Sequence, residues 1–274
     1  MIEMDFYINS KFEISHYTVE SDKVKRNVRL AVMADLHNCM SEDGGRWLLH
    51  QIDVEKPDCV ITAGDMVDGV EGSDPMRAMK VIRLIHEHYP LIYCMGNHEK
   101  KIMDGRYLHR VRRRFIAGLK AADLKVLTNS YKFLGDTGIK VSCFDLPIYY
   151  YSRIGGTMGL SAWQIRQVLG ELESDYFNVM VAHDPQFFEA YSDYGPELVL
   201  SGHMHGGVIR VPGRGGLISP KLKIFPDYDA GLFERKKSKM IVSRGLGMHT
   251  IHLRVNNPPE LVIVDIKRQE QNGE

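Results

Sequence analysis

The sequence predicts a layered α/β fold, and three observations carry that reading. Apolar runs rich in β-branched residues alternate with segments of helical spacing through the first two thirds of the chain. The 274 residues, 44% of them apolar and 26% charged, are enough to bury a sizeable core. Five of the apolar runs lead into Asp, His or Asn, the pattern expected where ligands meet the carboxyl ends of strands in an α/β sheet.

In chain order, strands are expected at about Val28–Met33, Cys59–Thr62, Leu91–Met95, Lys125–Leu127, Lys140–Phe144, Val179–Ala182 and Glu197–Leu200. Trp47, Leu48 and Ile52 share one helical stripe, and Met76, Met79, Val81, Ile82 and Ile85 share another. Leu108, Val111, Phe115 and Leu119 mark a third helix. A fourth carries Trp163, Ile165, Val168, Leu169 and Leu172, with Ser161 placed to cap it. From Gly206 to Gly216 the chain is turn-rich, and two late strands, Met240–Ser243 and Leu261–Ile266, follow. No repeat, low-complexity segment or composition break marks a linker. Residues 1–274 are therefore read as one domain, with core motifs at about 28–207 and C-terminal strands at about 208–266.

Composition excludes several classes. Lys and Arg number 35 against 35 Asp and Glu, which removes the bulk electrostatic argument for a nucleic-acid binder. Apolar runs such as Leu198–Leu200 and Leu261–Val264 fall far short of the roughly 20 residues of a spanning helix. Met1–Phe6 lacks the basic and apolar regions of a secretory signal. Cys39, Cys59, Cys94 and Cys143 form no CxxC pair, so a disulfide frame or zinc ribbon is not expected. A cytoplasmic chain with reduced cysteines is the expectation, with peripheral membrane contact left open.

The strand ends carry the chemistry: Asp35-Leu36-His37, Gly64-Asp65-Met66-Val67-Asp68, Gly96-Asn97-His98-Glu99, His183, and Gly202-His203-Met204-His205. Oxygen and nitrogen donors without thiolates suit Mn, Fe, Zn, Co or Ni rather than a structural zinc. The candidate ligands are Asp35, His37, Asp65, Asn97, His183, His203 and His205. That is too many for one ion with an open position. Two ions sharing a carboxylate would use them all, and such a pair, about 3.5–4 Å apart, clamps a phosphoryl group and acidifies a bridging water. Each motif alone is an ordinary strand-to-loop junction; their order and placement together point to a dinuclear hydrolase.

The ordered set DxH, GDxxD, GNHE, H, GHxH resembles that of the calcineurin-like metallophosphoesterases over about Val28 to Gly207. The segments Ser201–Arg210, Tyr228–Phe233 and Ser243–Gly247 are similar to the YkuE-like bacterial branch. The resemblance implies a four-layer α/β/β/α sandwich with mixed sheets. It implies that Asp35, His37 and His205 hold one metal and Asn97, His183 and His203 the other, with Asp65 bridging. It gives His98 the role of protonating the leaving oxygen, with Asp68 accepting a hydrogen bond from that imidazole, and makes Asn97 both ligand and phosphate contact. The implied reaction is in-line attack on a phosphodiester, pyrophosphate or phosphomonoester by a metal-bridging hydroxide. Lipid-linked and nucleotide-linked compounds are the substrate classes in view, and no protein partner is expected. The alternatives are a phosphoprotein phosphatase or nuclease on the same centre, or a scaffold that has lost turnover.

Three regions around the site stay open. Lys100, Lys101, Arg106, Arg110, Arg112, Arg113, Arg114 and Lys120 are either a solvated helix face or an anion-attracting rim. The tyrosine-rich stretch Leu146–Gly156 either packs on the core or walls the substrate pocket, and Gly213–Gly216 is a candidate flap.

Overall fold

The central strands of this chain have no polar face to give to solvent. In the strand Cys59–Ala63 every residue is buried, and successive side chains enter different apolar clusters: Cys59, Ile61 and Ala63 one, Val60 another. Because strand side chains alternate in direction, both faces of the sheet must be covered. A computed structural model, which describes residues 6–8, 12–105, 107–151, 159–207, 209–211, 215–216, 226–248 and 253–269, shows how.

The elements in order are β1 (Phe6–Ile8), β2 (Glu13–Ser21), β3 (Val28–Met33), α1 (Glu42–Glu55), β4 (Cys59–Ala63), α2 (Met76–His86), β5 (Leu91–Cys94), α3 (Asn97–Asp104), α4 (His109–Ala121), β6 (Val126–Leu127), β7 (Ser130–Phe133) and β8 (Ile139–Cys143). They continue with α5 (Ala162–Leu169), β9 (Phe177–Val181), α6 (Phe188–Tyr194), β10 (Leu198–Ser201), β11 (Arg210–Val211), β12 (Gly215–Gly216), β13 (Gly231–Arg235), β14 (Ser238–Val242), β15 (Leu253–Val255) and β16 (Glu260–Arg268). One six-stranded sheet runs β2-β16-β3-β4-β5-β6 and a second runs β13-β14-β10-β9-β8-β7. Both are mixed: β16 is antiparallel to β3, and β13 and β7 are antiparallel edges on the otherwise parallel second sheet. Two short pairs, β1 with β15 and β11 with β12, lie outside them.

The sheets face each other across Leu30, Val32, Ile61 and Val264 from the first and Ile139, Val141, Val179 and Leu200 from the second. The outer face of the first sheet packs on α1 to α4 through Leu48, Ile52, Val81, Ile82, Ile102, Val111 and Phe115. The outer face of the second packs on α5 and α6 through Ile165, Leu169, Phe188 and Tyr191. The fold is thus the four-layer α/β/β/α sandwich, with apolar filling in all three interlayer spaces.

Local signals decide where several helices start and stop. The Ser41 side chain accepts from Gly44 N–H at the start of α1, and Ser161 accepts from Gln164 N–H in the capping box that opens α5. Gly170 ends α5, so Leu172, expected on that stripe, lies beyond the helix. The parallel strands β3, β4, β5, β9 and β10 all run toward one edge of the sandwich, and their ends deliver the five polar motifs there.

Candidate metal centre

Each candidate ligand sits just past a strand whose length and direction its own apolar residues fix. Several of these residues adopt the left-handed backbone region: Asp35 (φ 51°), His37 (49°), Asp65 (55°), His203 (71°) and His205 (53°). Such conformations cost non-glycine residues about 1–3 kcal/mol each and persist only where neighbours hold them. Here the loops hold one another. Asp35 N–H donates to Gly64 O at 2.9 Å and His37 N–H to Asp65 O at 3.2 Å. His203 N–H donates to the Asp35 carboxylate at 3.0 Å, and His98 N–H to Asp65 Oδ1 at 2.7 Å. A side chain at Gly96 would strike Asp65, and one at Gly202 would strike Asp35, which explains both glycines by close approach.

The structure gathers the donors into two adjoining groups. In the first, His37 Nε2 lies 3.2 Å from His205 Nε2 and 3.7 Å from Asp35 Oδ1, and His205 Nε2 lies 3.4 Å from the same oxygen. In the second, Asp65, His183 and His203 each offer one donor atom within 4.8 Å of the others, and His183 Nε2 is 3.0 Å from Asp65 Oδ2. The groups meet, because His183 Nε2 is also 3.8 Å from Asp35 Oδ1 and Asp65 is grouped with His37 and His98 as well. Asn97 Oδ1 is buried without a hydrogen-bond partner.

The bonds made by the outer nitrogens of these histidines settle which nitrogen faces inward. His37 Nδ1–H donates to Asp68 Oδ1 at 2.7 Å, and His183 Nδ1–H to Ala63 O at 2.6 Å. Both rings therefore turn an Nε2 lone pair toward carboxylate oxygens, which is unfavourable unless a cation or proton lies between. Without metal, protons fill that role. Burial lowers the pKa of His37, but the carboxylates of Asp35 and Asp68 outweigh it and raise it to about 10; Asp65 does the same for His183. His205 is pushed down to about 3, chiefly by burial. Burial opposes ionisation of Asp35 and Asp65, yet the surrounding imidazoles, led by His205 and His183 respectively, hold both carboxyls below their ordinary range. Orphaned Asn97, inward lone pairs and two ionised buried carboxylates together fit a divalent-metal centre.

Six of the expected ligands meet here, Asn97 opens α3 directly before His98, and His98 joins the group, its ring centroid 4.8 Å from that of His37. The expected bond from His98 to Asp68 needs correction. Asp68 Oδ1 is 3.8 Å from His98 Nδ1 and is committed to His37 instead, while His98 Nδ1 accepts from Gly69 N–H at 2.9 Å. The backbone thus fixes the neutral His98 tautomer, with its proton on Nε2.

Several supports of the site were not among the expected site residues. Asn257 Nδ2 donates to His205 O at 2.7 Å and Gly207 O at 2.6 Å, holding the GHMH loop from 50 residues away. Asp184, directly after His183, puts Oδ2 3.6 Å from His203 Nε2. Glu99 is fully buried beneath Asp65, and burial followed by the Asp65 charge raises its carboxyl to about 7. The tyrosine-rich stretch divides between two surroundings. Tyr150 packs in the core, and the Tyr151 ring meets His203 at 5.4 Å between centroids; Ser152–Gly156 lie outside the described residues. Gly213 and Arg214 of the candidate flap and Arg106 of the basic cluster lie outside them too.

A buried centre of carboxylate, imidazole and amide donors at the carboxyl ends of facing sheets is that of a metal-dependent phosphohydrolase. Residues 28–207 match the calcineurin-like phosphoesterase family, and the chain belongs to it. It is similar to the uncharacterized metallophosphoesterase Cj0846 of Campylobacter jejuni, 26% identical over 258 residues, covering 93% of this chain and 63% of that one. It is also 24% identical over 263 residues to the uncharacterized metallophosphoesterase YkuE of Bacillus subtilis, covering 93% of this chain and 85% of YkuE. Phosphodiesterase YaeI of Escherichia coli is 27% identical over 214 residues, 77% of this chain and 71% of its own length. The chain therefore spans less than two thirds of the Campylobacter relative.

Elemental analysis of protein purified without chelator is expected to give about two transition-metal ions per chain. A single ion with full activity would refute a dinuclear centre. Loading the metal-free chain near pH 7.5 should release protons, since His37 and His183 must lose theirs to become ligands. Calorimetry in buffers of differing ionisation enthalpy reads that release directly.

Proposed function

We propose that the chain hydrolyses a phosphodiester, pyrophosphate or phosphomonoester by in-line displacement at phosphorus. Asp35, His37 and His205 would hold one divalent ion and Asn97, His183 and His203 a second, with Asp65 between them. The observation that carries this reading is the grouping of six of the donors at one edge, with Asn97, directly before His98 at the start of α3, buried and its Oδ1 left without a partner. Bound there, the ions would supply Lewis acidity to the phosphoryl oxygens and lower the pKa of the attacking water. Donors of this type fit Mn, Fe, Zn, Co or Ni.

The chain's own groups supply the rest. His98, its Nδ1 occupied by Gly69 N–H, presents Nε2–H to the departing oxygen as a hydrogen-bond donor and stabilises the charge that develops there, while solvent supplies the proton that oxygen finally takes. No nucleophilic side chain is required. Asp68 would act through the metal side, orienting His37, and only at longer range on His98. The name of the relative YaeI favours a phosphodiester as the first substrate to try.

The basic cluster divides on inspection. Lys100 is bonded to Asp145 at 2.8 Å and Arg114 to Asp74 at 2.8 Å. Val111, Phe115 and Leu119 face the core, leaving Arg110, Arg112 and Arg113 exposed, with no acidic partner among the described residues. Because β5 and β6 are parallel, the connection through α3 and α4 returns along the sheet, and α4 begins at the edge where the ligands lie. Its first turns therefore suit the extra charge of a diphosphate or an anionic-lipid substrate, and Lys120 lies too far down the helix to contribute. A cytoplasmic enzyme that meets membranes only peripherally agrees with this reading. Among the described residues no helix is long and apolar enough to cross a membrane.

A panel of phosphomonoesters, phosphodiesters, pyrophosphates, phosphopeptides and nucleic acids, assayed with each metal, tests the proposal; turnover confined to phosphopeptides or nucleic acids would replace it, and none at all would favour a scaffold. His98→Asn is expected to keep its metal while kcat falls roughly 10²–10⁴-fold, least for substrates with very good leaving groups. Equal losses across leaving groups would argue against His98 acting on the leaving oxygen. Arg112→Ala with Arg113→Ala should raise KM for a diphosphate or anionic-lipid substrate and leave kcat on a small aryl phosphodiester unchanged. Unchanged KM for every substrate would make that face a solvated helix surface.

A further inference from the structure

The Glu99 carboxylate gathers more donors than any ligand does. Its Oε2 accepts from Asp65 N–H and Gly96 N–H, both at 2.9 Å. Its Oε1 accepts from Met66 N–H at 2.6 Å, Val67 N–H at 3.2 Å and the Tyr93 hydroxyl at 3.0 Å. Four of these five donors are main-chain amides, drawn from the loops after β4 and β5. The side chain is fully buried, and no cation pairs with it among the described residues.

The consequence for Asp65 is geometric. Its backbone sits in the left-handed region, uncommon for a residue with a Cβ, and its amide is held by Glu99. Its carboxylate is held from the other loop, by His98 N–H on Oδ1. Gly96, one residue before Asn97, hangs on the same Glu99 oxygen as Asp65. The main chain bearing the shared carboxylate and the main chain bearing Asn97 are therefore registered against each other by one side chain that faces neither metal group. We propose that Glu99 is a positioning residue that fixes Asp65 between the two metal groups, so that without its carboxylate the two ions no longer bind as a pair. This rests on the two-ion reading above.

Glu99→Gln keeps the shape but turns an amide NH₂ toward N–H donors. In the metal-free variant, hydrogen exchange should quicken at the amides of Asp65, Met66, Val67 and Gly96 and stay unchanged within β4 at Val60–Thr62. Titration with Mn²⁺ or Zn²⁺, followed by calorimetry, should show the first ion binding as in the parent and the second weakened roughly 10–100-fold, the size of effect seen when groups behind metal ligands are removed. Glu99→Asp, which keeps the charge but falls one methylene short, is read in the same way and stands in if the Gln variant does not fold. Tyr93→Phe removes one donor and leaves the amides held, so its second-ion affinity should match the parent. Exchange that rises uniformly, or a second ion bound as tightly as in the parent, overturns the role of Glu99. A parent chain that binds only one ion overturns the two-ion reading instead, and the two failures are thus distinct.

Discussion

Two ionised carboxylates, Asp35 and Asp65, are buried at the edge where the sheets meet, and the rest of the structure answers to them. Removing a carboxylate from water costs several kcal/mol even after relaxation, so each must be paired and hydrogen-bonded. The fold does this with imidazoles brought in from four strand ends and with main-chain amides, His203 N–H on Asp35 and His98 N–H on Asp65. The arrangement is tight enough to exclude a Cβ at Gly96 and Gly202. A site so enclosed cannot relax its charges into solvent, which is why protons stand in on His37 and His183 when metal does not.

That enclosure depends on rigidity generated elsewhere. The strands that deliver the ligands are buried on both faces, and their directions follow from apolar packing in three interlayer spaces. The left-handed residues at the strand ends are costly, and they are kept by partners on neighbouring loops rather than by their own preferences. The C-terminal segment contributes in the same way. Gly247 N–H donates to Asp35 O at 2.7 Å and Leu246 N–H to Ala34 O at 2.9 Å, so the loop after β14 closes the back of the first metal group. Arg254 extends this bracing, its guanidinium bonded to the carbonyls of Gly245 and Gly247.

Much of this was legible in the sequence because the information is local. A fully buried strand reads as a continuous apolar run, and a ligand just after it reads as a polar break, so Val28–Met33 followed by Asp35 needs no tertiary knowledge. β2 was not legible for the converse reason. It is an edge strand in which only Val19 and Ser21 are buried, so polar and apolar residues mix without a clear period. α3 was hidden because it begins at Asn97, inside a motif read as a loop, and runs into the basic cluster. Asn257 and Glu99 act on atoms as far as 52 and 34 positions away in the chain, through carbonyls and amides that every residue possesses, and no residue pattern announces such partners.

The position of Asp68 shows how closely the chemistry and the metal groups are joined. Its Oδ1 lies 2.7 Å from His37 and 3.8 Å from His98, so one carboxylate stands behind a candidate ligand and beside the candidate hydrogen-bond donor to the leaving oxygen. The ordering is physically reasonable. His37 Nδ1 is held at 2.7 Å by the carboxylate, which fixes its tautomer, whereas His98 Nδ1 accepts from Gly69 N–H. A ligand made more basic by Asp68 would hold its ion more firmly, while the same carboxylate lies beside the neighbouring His98. Removing that charge would disturb both groups through one atom. The separation of a metal-binding part from a part that acts on the leaving oxygen is therefore a convenience of description in this site, where the two share a carboxylate.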